Sequence, residues 1–268
     1  MASTFNARDA AVYERSMGRW SRRLAPQFVA FAGIGNAPSV LDAGCGTGSL
    51  LFTLAQNPAH TRLVGLDASE IYVAAAQAAN TDPRIAISHG DACAMPYADA
   101  SFDAAMSQLV LQFVPEPAAM AAELCRVVRP GGVVAAAVWN SAGGMPHQRM
   151  FWDTAAMLDP AAAKARAHTF SRPMTCKGDL PALFAAVGLQ DISESSAAIW
   201  MDFADFADFW DPIAGGEGTL GKYVTSLSAE RAAALEGHLR AAFESGRPDG
   251  ERNFGCTAYV CRGIVASK

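Results

Sequence analysis

Short apolar segments alternate with helical patterns through the first half of the chain, and this alternation constrains the fold more than any other feature. The sequence predicts strands at 39–44, 62–69, 85–92, 102–107 and 133–139. Between them it predicts helices at 49–56, 69–80 and 117–132, the second of which has Ser69 as its N-cap. This order indicates right-handed βαβ crossovers and a parallel sheet. Because the strands are apolar along their length, we expect both faces of the sheet to be covered.

The pattern becomes less regular after Trp139. The sequence predicts irregular helices over 140–180, a strand over 189–201, an aromatic helix and then a glycine-rich loop within 199–228, a helix over 229–246 that ends at Gly246, and a final strand over 253–264. No internal repeat or low-complexity linker separates the two halves. We therefore expect one domain with an elaborated C-terminal half.

Composition and charge exclude several classes of function. The chain has 268 residues, 51% of them apolar, a net charge of −5 and no block of basic residues, so we expect no nucleic-acid partner. No run of eighteen apolar residues and no apolar leader segment occur, which predicts a protein without membrane insertion. The six cysteines form no CxxC pair, so we expect reduced thiols, no metal site and a cytoplasmic location.

A glycine-rich turn, VLDAGCGTG at 40–48, follows the first predicted strand. Such a turn lets backbone N–H groups approach a ligand at the positive end of a helix. The dinucleotide fingerprint G-x-G-x-x-G is not met, because Ser49 stands where its third glycine would be. Asp42 at the strand end disfavours a pyrophosphate and favours a cation. S-adenosylmethionine fits this description, since it has an adenosine, a sulfonium and an amino group but no phosphate.

Four motifs in order make the chain resemble the class I S-adenosylmethionine-dependent methyltransferases. They are VLDAGCGTG (40–48), VGLDAS (64–69), HGDACAMPYADASFDAAMSQLVLQF (89–113) and RVVRPGGVVAAAVW (126–139). The chain looks most similar to the small-molecule branch that includes the ubiquinone and menaquinone C-methyltransferases. The resemblance covers residues 10–140 strongly and the remainder weakly.

The resemblance implies an α/β fold: a Rossmann-like, doubly wound, mostly parallel seven-stranded sheet with an N-terminal helical cover and a cap insertion in the C-terminal half. Within the single domain 1–268, it implies the cover at 1–36, the cofactor-binding core at 37–140, and substrate-side cap elements with the last strands at 141–268.

The resemblance also implies a set of residues that bind S-adenosylmethionine and its product S-adenosylhomocysteine. Asp67 would accept both ribose hydroxyls and Ala68 would lie against the adenine, while Asp91 would accept the adenine amino group and Ala92 would offer its N–H to the ring. The glycine turn would approach the methionine part through Asp42, Ala43, Gly44, Cys45, Gly46 and Gly48. Ser107 and Gln108 would border the methyl group.

The N-terminal segment offers two interpretations. The resemblance implies that Tyr13, Arg19 and Trp20 line the site, with Arg19 paired to the cofactor carboxylate. The alternative is a helix packed on the sheet with a solvated basic face.

The acceptor side is less defined. Methyl transfer needs alignment and exclusion of water, and a base only where the acceptor loses a proton. Candidate catalytic residues are His147, which follows the fifth strand, and Gln108; His147 is alternatively a polar loop residue. The FADFADFW stretch (203–210) is either a helix packed on its own core or a lid over the acceptor. Residues 215–223 are a mobile loop or a connector, and Glu217 and Tyr223 are possible acceptor contacts.

The first hypothesis is therefore S-adenosylmethionine-dependent methyl transfer to a small-molecule acceptor, by a monomer or homodimer. Two alternatives stay open at this point. One is a non-catalytic protein that binds S-adenosylmethionine, and the other is an NAD(P)-dependent dehydrogenase, against which the glycine spacing and Asp42 argue.

Overall fold

A seven-stranded sheet forms the centre of the computed structural model, which describes residues 9–216 and 218–267. The strands are β1 (Ser39–Ala43), β2 (Arg62–Asp67), β3 (Ile85–His89), β4 (Phe102–Gln108), β5 (Val128–Trp139), β6 (Gln190–Phe203) and β7 (Arg252–Ile264). Their spatial order is β3-β2-β1-β4-β5-β7-β6, and β7 alone runs antiparallel to both of its neighbours. The predicted Rossmann-like, mostly parallel seven-stranded fold is confirmed.

The strand order reverses between β1 and β4, and this switch point positions the site. Asp42 of β1 pairs in register with Gly65 of β2 on one side and with Met106 of β4 on the other. The chain leaves β1 and β4 at the same edge and turns in opposite directions, which opens a crevice outside the carboxyl ends of the strands.

Helices cover both faces of the sheet. They are α1 (Ala10–Tyr13), α2 (Arg19–Ala32), α3 (Ser49–Leu54), α4 (Glu70–Ala79), α5 (Pro117–Val127), α6 (Pro146–Leu158), α7 (Pro160–Phe170), α8 (Asp179–Ala186), α9 (Phe206–Ala214), α10 (Gly218–Val224) and α11 (Ala229–Glu244). Alternate strand residues point into two separate cores: Val40 packs with α2 and the cap helices, and Leu41 packs with α5 and α8. Both faces are buried, as the apolar strands predict. None of the described helices is long and apolar enough to cross a membrane.

Helix starts follow the predicted local chemistry. The backbone N–H of Tyr72 donates to the Ser69 hydroxyl at 3.3 Å, so Ser69 is the N-cap of α4. Pro117, Pro146 and Pro160 each begin a helix, where the missing proline N–H costs no hydrogen bond. Helix α11 ends before Ser245 and Gly246, which both have positive φ angles.

The predicted end of the third core helix is wrong. Helix α5 stops at Val127, and the Arg-Pro-Gly-Gly segment that follows belongs to β5. Arg129 precedes a proline and is therefore biased towards an extended backbone. Gly131 N–H donates to Val265 O at 2.9 Å, and Val265 N–H donates to Gly132 O at 3.0 Å, so pairing with the chain after β7 extends the strand.

The prediction for 199–228 is also wrong in part. Strand β6 continues to Phe203, where it still pairs with Arg252 of β7, and the aromatic helix is the shorter α9. The predicted glycine-rich loop contains helix α10. Long-range pairing with β7 decides the strand end, and a local aromatic pattern does not carry that information.

The N-terminal cover is fastened to the core by side-chain hydrogen bonds. A π-helical turn, Glu14–Gly18, joins α1 to α2. The Thr47 hydroxyl of the glycine turn donates to the Glu14 carboxylate, and the Gln108 amide donates to the carbonyl of Ser21 at 3.0 Å. The cover is thus attached to the ends of both β1 and β4.

Candidate active site

A cavity of about 500 Å³ lies at the switch point, between the N-terminal cover and the cap. Ligand sites are commonly of this size. Six of the predicted cofactor residues line its first half: Tyr13, Gly44, Gly46, Asp67, Ala68 and Gln108. The second half is formed by the end of β5 and by α6, α7, α9 and α10, and includes His147. The cavity therefore runs without interruption from the glycine turn to the cap.

The glycine turn has a backbone that only glycine adopts readily. Gly44, Gly46 and Gly48 have φ angles of +82°, +53° and +92°. A Cβ on Gly44 would also overlap the side chain of Val110. The N–H groups of Gly44 and Cys45 both donate to Leu66 O, at 2.7 and 3.1 Å, which holds the turn against the end of β2.

Asp67 is fixed at the end of β2 by two backbone donors. Its Oδ2 accepts from Gly46 N–H and its Oδ1 accepts from Ser69 N–H, each at 2.8 Å. Burial raises the pKa of the Asp67 carboxyl, while these two hydrogen bonds lower it. Each carboxylate oxygen retains one further lone pair, so the group can still accept hydrogen bonds from a ligand diol.

Asp42 is buried directly behind the glycine turn. It is 1% exposed, and neither carboxyl oxygen has a hydrogen-bond partner in the described part of the chain. Burial, and next the negative charge of Asp67, raise the pKa of Asp42 well above its usual range. Asp42 does not line the cavity, so any influence on a ligand acts through the turn or through its charge.

Two of the three residues predicted from the N-terminal cover lie behind the cavity wall. Tyr13 lines the cavity, and its ring centroid is 4.7 Å from that of Tyr72. Arg19 pairs with Asp208 at 2.9 Å and its guanidinium stacks over the Trp20 ring, so it has a protein carboxylate as its partner. Trp20 is 2% exposed and packs edge-on against Phe203. The pairing of Arg19 with a cofactor carboxylate stays a prediction.

The remaining predicted cofactor residues do not line the cavity. They are Ala43, Cys45, Gly48, Asp91, Ala92 and Ser107. Asp91 Oδ1 accepts from Cys93 N–H at 2.8 Å, and this bond lowers the pKa of Asp91. Cys45 is buried, and burial raises the pKa of its thiol. The Ser107 hydroxyl is buried without a partner among the described residues.

His147 and Gln108 are the polar candidates for the reaction. The Nδ1 atom of His147 lies 3.6 Å from the Sγ of Cys256, and burial lowers the pKa of His147 to about 4. Burial raises the pKa of Cys256 to about 12, so the thiol stays protonated at neutral pH. Gln108 donates its amide N–H to the cover, and its carbonyl oxygen is buried with no partner in residues 9–216 and 218–267.

Aromatic side chains line the cap half. Trp139, Phe203 and Phe209 face the cavity, and Phe203 packs against Phe209 with ring centroids 5.5 Å apart. Phe203 also belongs to the main hydrophobic core. The aromatic stretch therefore both packs on the core and lines the cavity, the two interpretations that the sequence offered. Tyr223 does not line the cavity: its hydroxyl donates to Asp159 at 3.3 Å. Glu217 lies outside the described residues.

The structure brings further polar residues to the cavity that the sequence did not indicate. Asp208, Arg172, Gln112 and Thr169 all line it. Asp208 and Thr169 sit in helical patterns, and Arg172 follows α7 in an irregular segment, so no local signal distinguishes them from surface residues. No group of three or more His, Cys, Asp or Glu side chains in the described ranges could hold a metal ion.

Comparisons with known proteins agree with this geometry. The methyltransferase-domain family matches residues 41–136, which span β1 to most of β5. The chain is 34% identical over 120 residues to an uncharacterized protein of Mycobacterium tuberculosis, covering 45% of this chain and 44% of that protein. It is 36% identical over 100 residues to the demethylmenaquinone methyltransferase of Shouchella clausii, covering 36% and 43% of the two chains. The chain thus matches less than half the length of these relatives.

A solved structure extends the likeness in fold. The phosphoethanolamine N-methyltransferase 2 of Haemonchus contortus, in complex with phosphomonomethylethanolamine and S-adenosylhomocysteine, superposes with a TM-score of 0.58 at 16% identity. The match covers 96% of this chain and 57% of that one. Residues 41–136 match the methyltransferase-domain family, and the chain shares the fold of this solved methyltransferase. These findings support the predicted enzyme class, an S-adenosylmethionine-dependent methyltransferase, and its cofactor.

Proposed function

We propose that the protein transfers a methyl group from S-adenosylmethionine to a small-molecule acceptor bound in the cap half of the cavity. The observation that carries this proposal is the single cavity that joins the glycine turn and Asp67 to the aromatic cap. A cofactor in the first half would present its methyl group to a ligand in the second half. The arrangement therefore brings donor and acceptor together in a space shielded from water.

The first half of the cavity fits the cofactor without a phosphate site. Asp67 offers carboxylate oxygens to the ribose. Gly44 and Gly46 have no side chains, which leaves room in the cavity for the methionine part, and their positive φ angles disfavour any other residue. Asp42 and Asp67 place two acidic groups beside the turn. The Asp67 carboxylate lies in the cavity wall and disfavours a pyrophosphate at the turn, which separates this proposal from a nicotinamide-dependent enzyme.

The chemistry required of the protein is alignment. Bound S-adenosylmethionine would supply a methyl group activated by its sulfonium, and the protein would hold the acceptor atom in line with it. Trp139, Phe203 and Phe209 surround the acceptor with apolar surface, which excludes water from the methyl transfer.

For an acceptor that loses a proton, we propose His147 as the general base. With its pKa lowered to about 4, the imidazole is neutral at pH 7. If Nδ1–H donates to Cys256 Sγ, the lone pair lies on Nε2, which has no hydrogen-bond partner among the described residues. Gln108 would assist as an acceptor through its unpartnered carbonyl oxygen.

The finer assignments concern the acceptor and the location of the protein. The match to a demethylmenaquinone methyltransferase is confined to the core, where the cofactor binds, so it supports the cofactor more than a quinone acceptor. The residues of the cap determine which acceptor binds. We propose a small molecule because a cavity of about 500 Å³ is of the size that holds one. We also propose a cytoplasmic protein, since none of the six cysteines forms a disulfide.

The test is thermal unfolding with S-adenosylhomocysteine and, separately, with NADH and NADPH. A ligand at about 100 times its Kd stabilises the folded state by roughly 2.7 kcal/mol. For a chain of this size, this corresponds to a rise in Tm of about 5–10 °C. We expect the rise with S-adenosylhomocysteine alone. A rise with a nicotinamide nucleotide and none with S-adenosylhomocysteine would overturn the proposal.

Two variants make the test specific. Asp67→Ala removes the acceptor of the ribose hydroxyls and should weaken S-adenosylhomocysteine binding about 10- to 100-fold. Asp211→Ala removes an exposed carboxylate of α9 and should leave binding unchanged. Turnover of labelled S-adenosylmethionine with a panel of acceptors then separates an enzyme from a protein that binds the cofactor without using it.

A further inference from the structure

We propose that the methyl acceptor carries an anionic group, a carboxylate or a phosphate, which binds to the guanidinium of Arg172. This inference rests on the proposed function, because it assigns the cap half of the cavity to the acceptor. It adds the chemical class of that acceptor.

Arg172 follows α7 and lines the cap half of the cavity. Its guanidinium carbon lies 5.3 Å from the ring centroid of Phe113, a residue that comes after β4. The side chain makes no hydrogen bond or ion pair with any residue in 9–216 or 218–267. It is half-buried, and burial lowers its pKa. The charge is thus partly removed from water without a protein counter-ion, an arrangement that costs free energy until an anion binds.

Two other arginines of the cap have protein partners. Arg149 donates to Ala142 O at 2.7 Å and stacks over Phe170. Arg166 pairs with Asp153 at 2.5 Å and also stacks over Phe170. Neither side chain lines the cavity, and no lysine in the described ranges does so. Among the described residues, Arg172 is therefore the cation that the cavity presents to a ligand.

The acidic groups of the cavity wall have hydrogen-bond partners other than Arg172. Asp208 accepts from Arg19 at 2.9 Å and from Ala204 N–H at 3.1 Å. Asp67 accepts from the glycine turn and from Ser69. His147 is neutral at pH 7 because its pKa is lowered to about 4, so it neither competes with Arg172 for an anion nor neutralises it. The positive charge of Arg172 is left for the ligand.

The surroundings of Arg172 describe the rest of the acceptor. A guanidinium presents its donors in a planar fork that matches the oxygens of a carboxylate or a phosphate. Trp139, Phe203 and Phe209 line the same half of the cavity. An acceptor with one anionic group on an apolar body would pair its anionic group with Arg172 and pack its apolar body against these aromatic side chains.

The experiment measures ligand binding by isothermal titration calorimetry to protein saturated with S-adenosylhomocysteine, so that the cofactor half is filled. The probes are benzoate with its neutral isostere benzamide, and phenyl phosphate with phenol. We expect the anions to bind at least about tenfold more tightly than their neutral counterparts. The stronger of the two anions identifies the carboxylate or the phosphate as the recognised group.

Arg172→Gln should weaken binding of the preferred anion about 10- to 100-fold, because hydrogen bonds to a charged group are lost. Arg166→Gln is the matched control: it removes a cap arginine that also stacks on a phenylalanine, outside the cavity, and should leave anion binding unchanged. If Arg172→Gln does not fold, Arg172→Lys keeps the charge without the fork and should show a smaller loss.

The outcomes distinguish this inference from the function on which it rests. If the wild-type protein does not bind S-adenosylhomocysteine, the proposed function itself is wrong. Retained cofactor binding together with equal affinity for benzoate and benzamide, or with equal anion binding by Arg172→Gln and wild type, overturns the inference alone. Loss of S-adenosylhomocysteine binding in Arg172→Gln would also overturn it, because Arg172 would then belong to the cofactor site.

Discussion

The carboxyl group of Asp42 lies buried beside that of Asp67, at the ends of adjacent strands β1 and β2. Asp67 has two backbone donors, whereas Asp42 has no hydrogen-bond partner in the described part of the chain. Asp67 is thus held in place by the backbone, and Asp42 is a buried carboxyl group without a compensating partner among the described residues. This difference gives the ligand-free site a measurable cost in stability.

Asp42→Asn should stabilise the ligand-free protein at pH 8, because it removes the cost of ionising a buried carboxyl group that has no hydrogen-bond partner among the described residues. The pKa of Asp42 is raised in the folded protein. Its contribution to stability is therefore fully present below the pKa of the unfolded chain and is lost as the pH rises through the folded pKa. The advantage of the variant should grow with pH, as measured by urea unfolding from pH 4 to pH 8. Asp211→Asn, at an exposed carboxylate, is the control, and an equal pH dependence in both variants would contradict the prediction.

His147 gives a second pH dependence, of opposite sign. Its folded pKa of about 4 lies below the usual value of 6.5, so the unfolded chain takes up a proton first as the pH falls. The free energy of unfolding should drop by about 3 kcal/mol between pH 6.5 and pH 4 from this residue. His147→Gln should lack this part of the drop, and His238→Gln, at an exposed histidine of α11, should retain it. Calorimetry at a series of pH values provides the measurement.

The same residue predicts the pH profile of activity. If His147 is the general base, kcat/KM should stay level from pH 8 down to about pH 5 and fall only near its lowered pKa of about 4. His147→Gln should reduce kcat about 100-fold or more for an acceptor that loses a proton. An unchanged kcat in this variant would remove His147 from the reaction and leave it a buried polar residue beside Cys256.

Gly44 and Gly178 offer a matched pair for the glycine turn. Their φ angles are +82° and +90°, so alanine is strained to a similar degree at both positions. A Cβ at residue 178 meets nothing within 4 Å, whereas one at residue 44 overlaps Val110 and stands in the cavity wall. Gly178→Ala should cost about 1–3 kcal/mol of stability and leave S-adenosylhomocysteine affinity intact. Gly44→Ala should cost more and abolish binding, as measured by thermal unfolding and calorimetry; equal binding by both variants would contradict a role for the turn.

Much of the core could be read from the sequence because its signals are local. The apolar runs predict β1 to β4 closely. The glycines within 44–48 predict a tight turn after β1, and the structure has that turn, with positive φ angles at these glycines. Asp67 is the last residue of its strand, and ligands bind outside the carboxyl ends of parallel strands beside a switch point. Each of these inferences depends on residues that are neighbours along the chain.

The errors arose where partners distant in sequence decide the conformation. The chain from Val128 to Gly132 is extended because it meets the end of β7, and Phe203 is in a strand because it pairs with Arg252. A distant partner also bears on a prediction that stays open: Arg19, the predicted partner of the cofactor carboxylate, pairs in the structure with Asp208, which is 189 residues away in sequence. Periodicity and spacing contain no information about such contacts.

The sequence by itself determined the fold class, the position of the glycine turn and the type of ligand that fits beside it, because strand periodicity and glycine geometry act over a few residues. Only the tertiary structure decided which groups share the cavity. Packing of the cap against the sheet and the cover brings His147, Asp208 and Arg172 to one cavity, although they come from different elements. It also leaves Arg172 without a counter-ion among the residues that the structure describes. That property depends on every group around the guanidinium, so it exists only once the chain has folded.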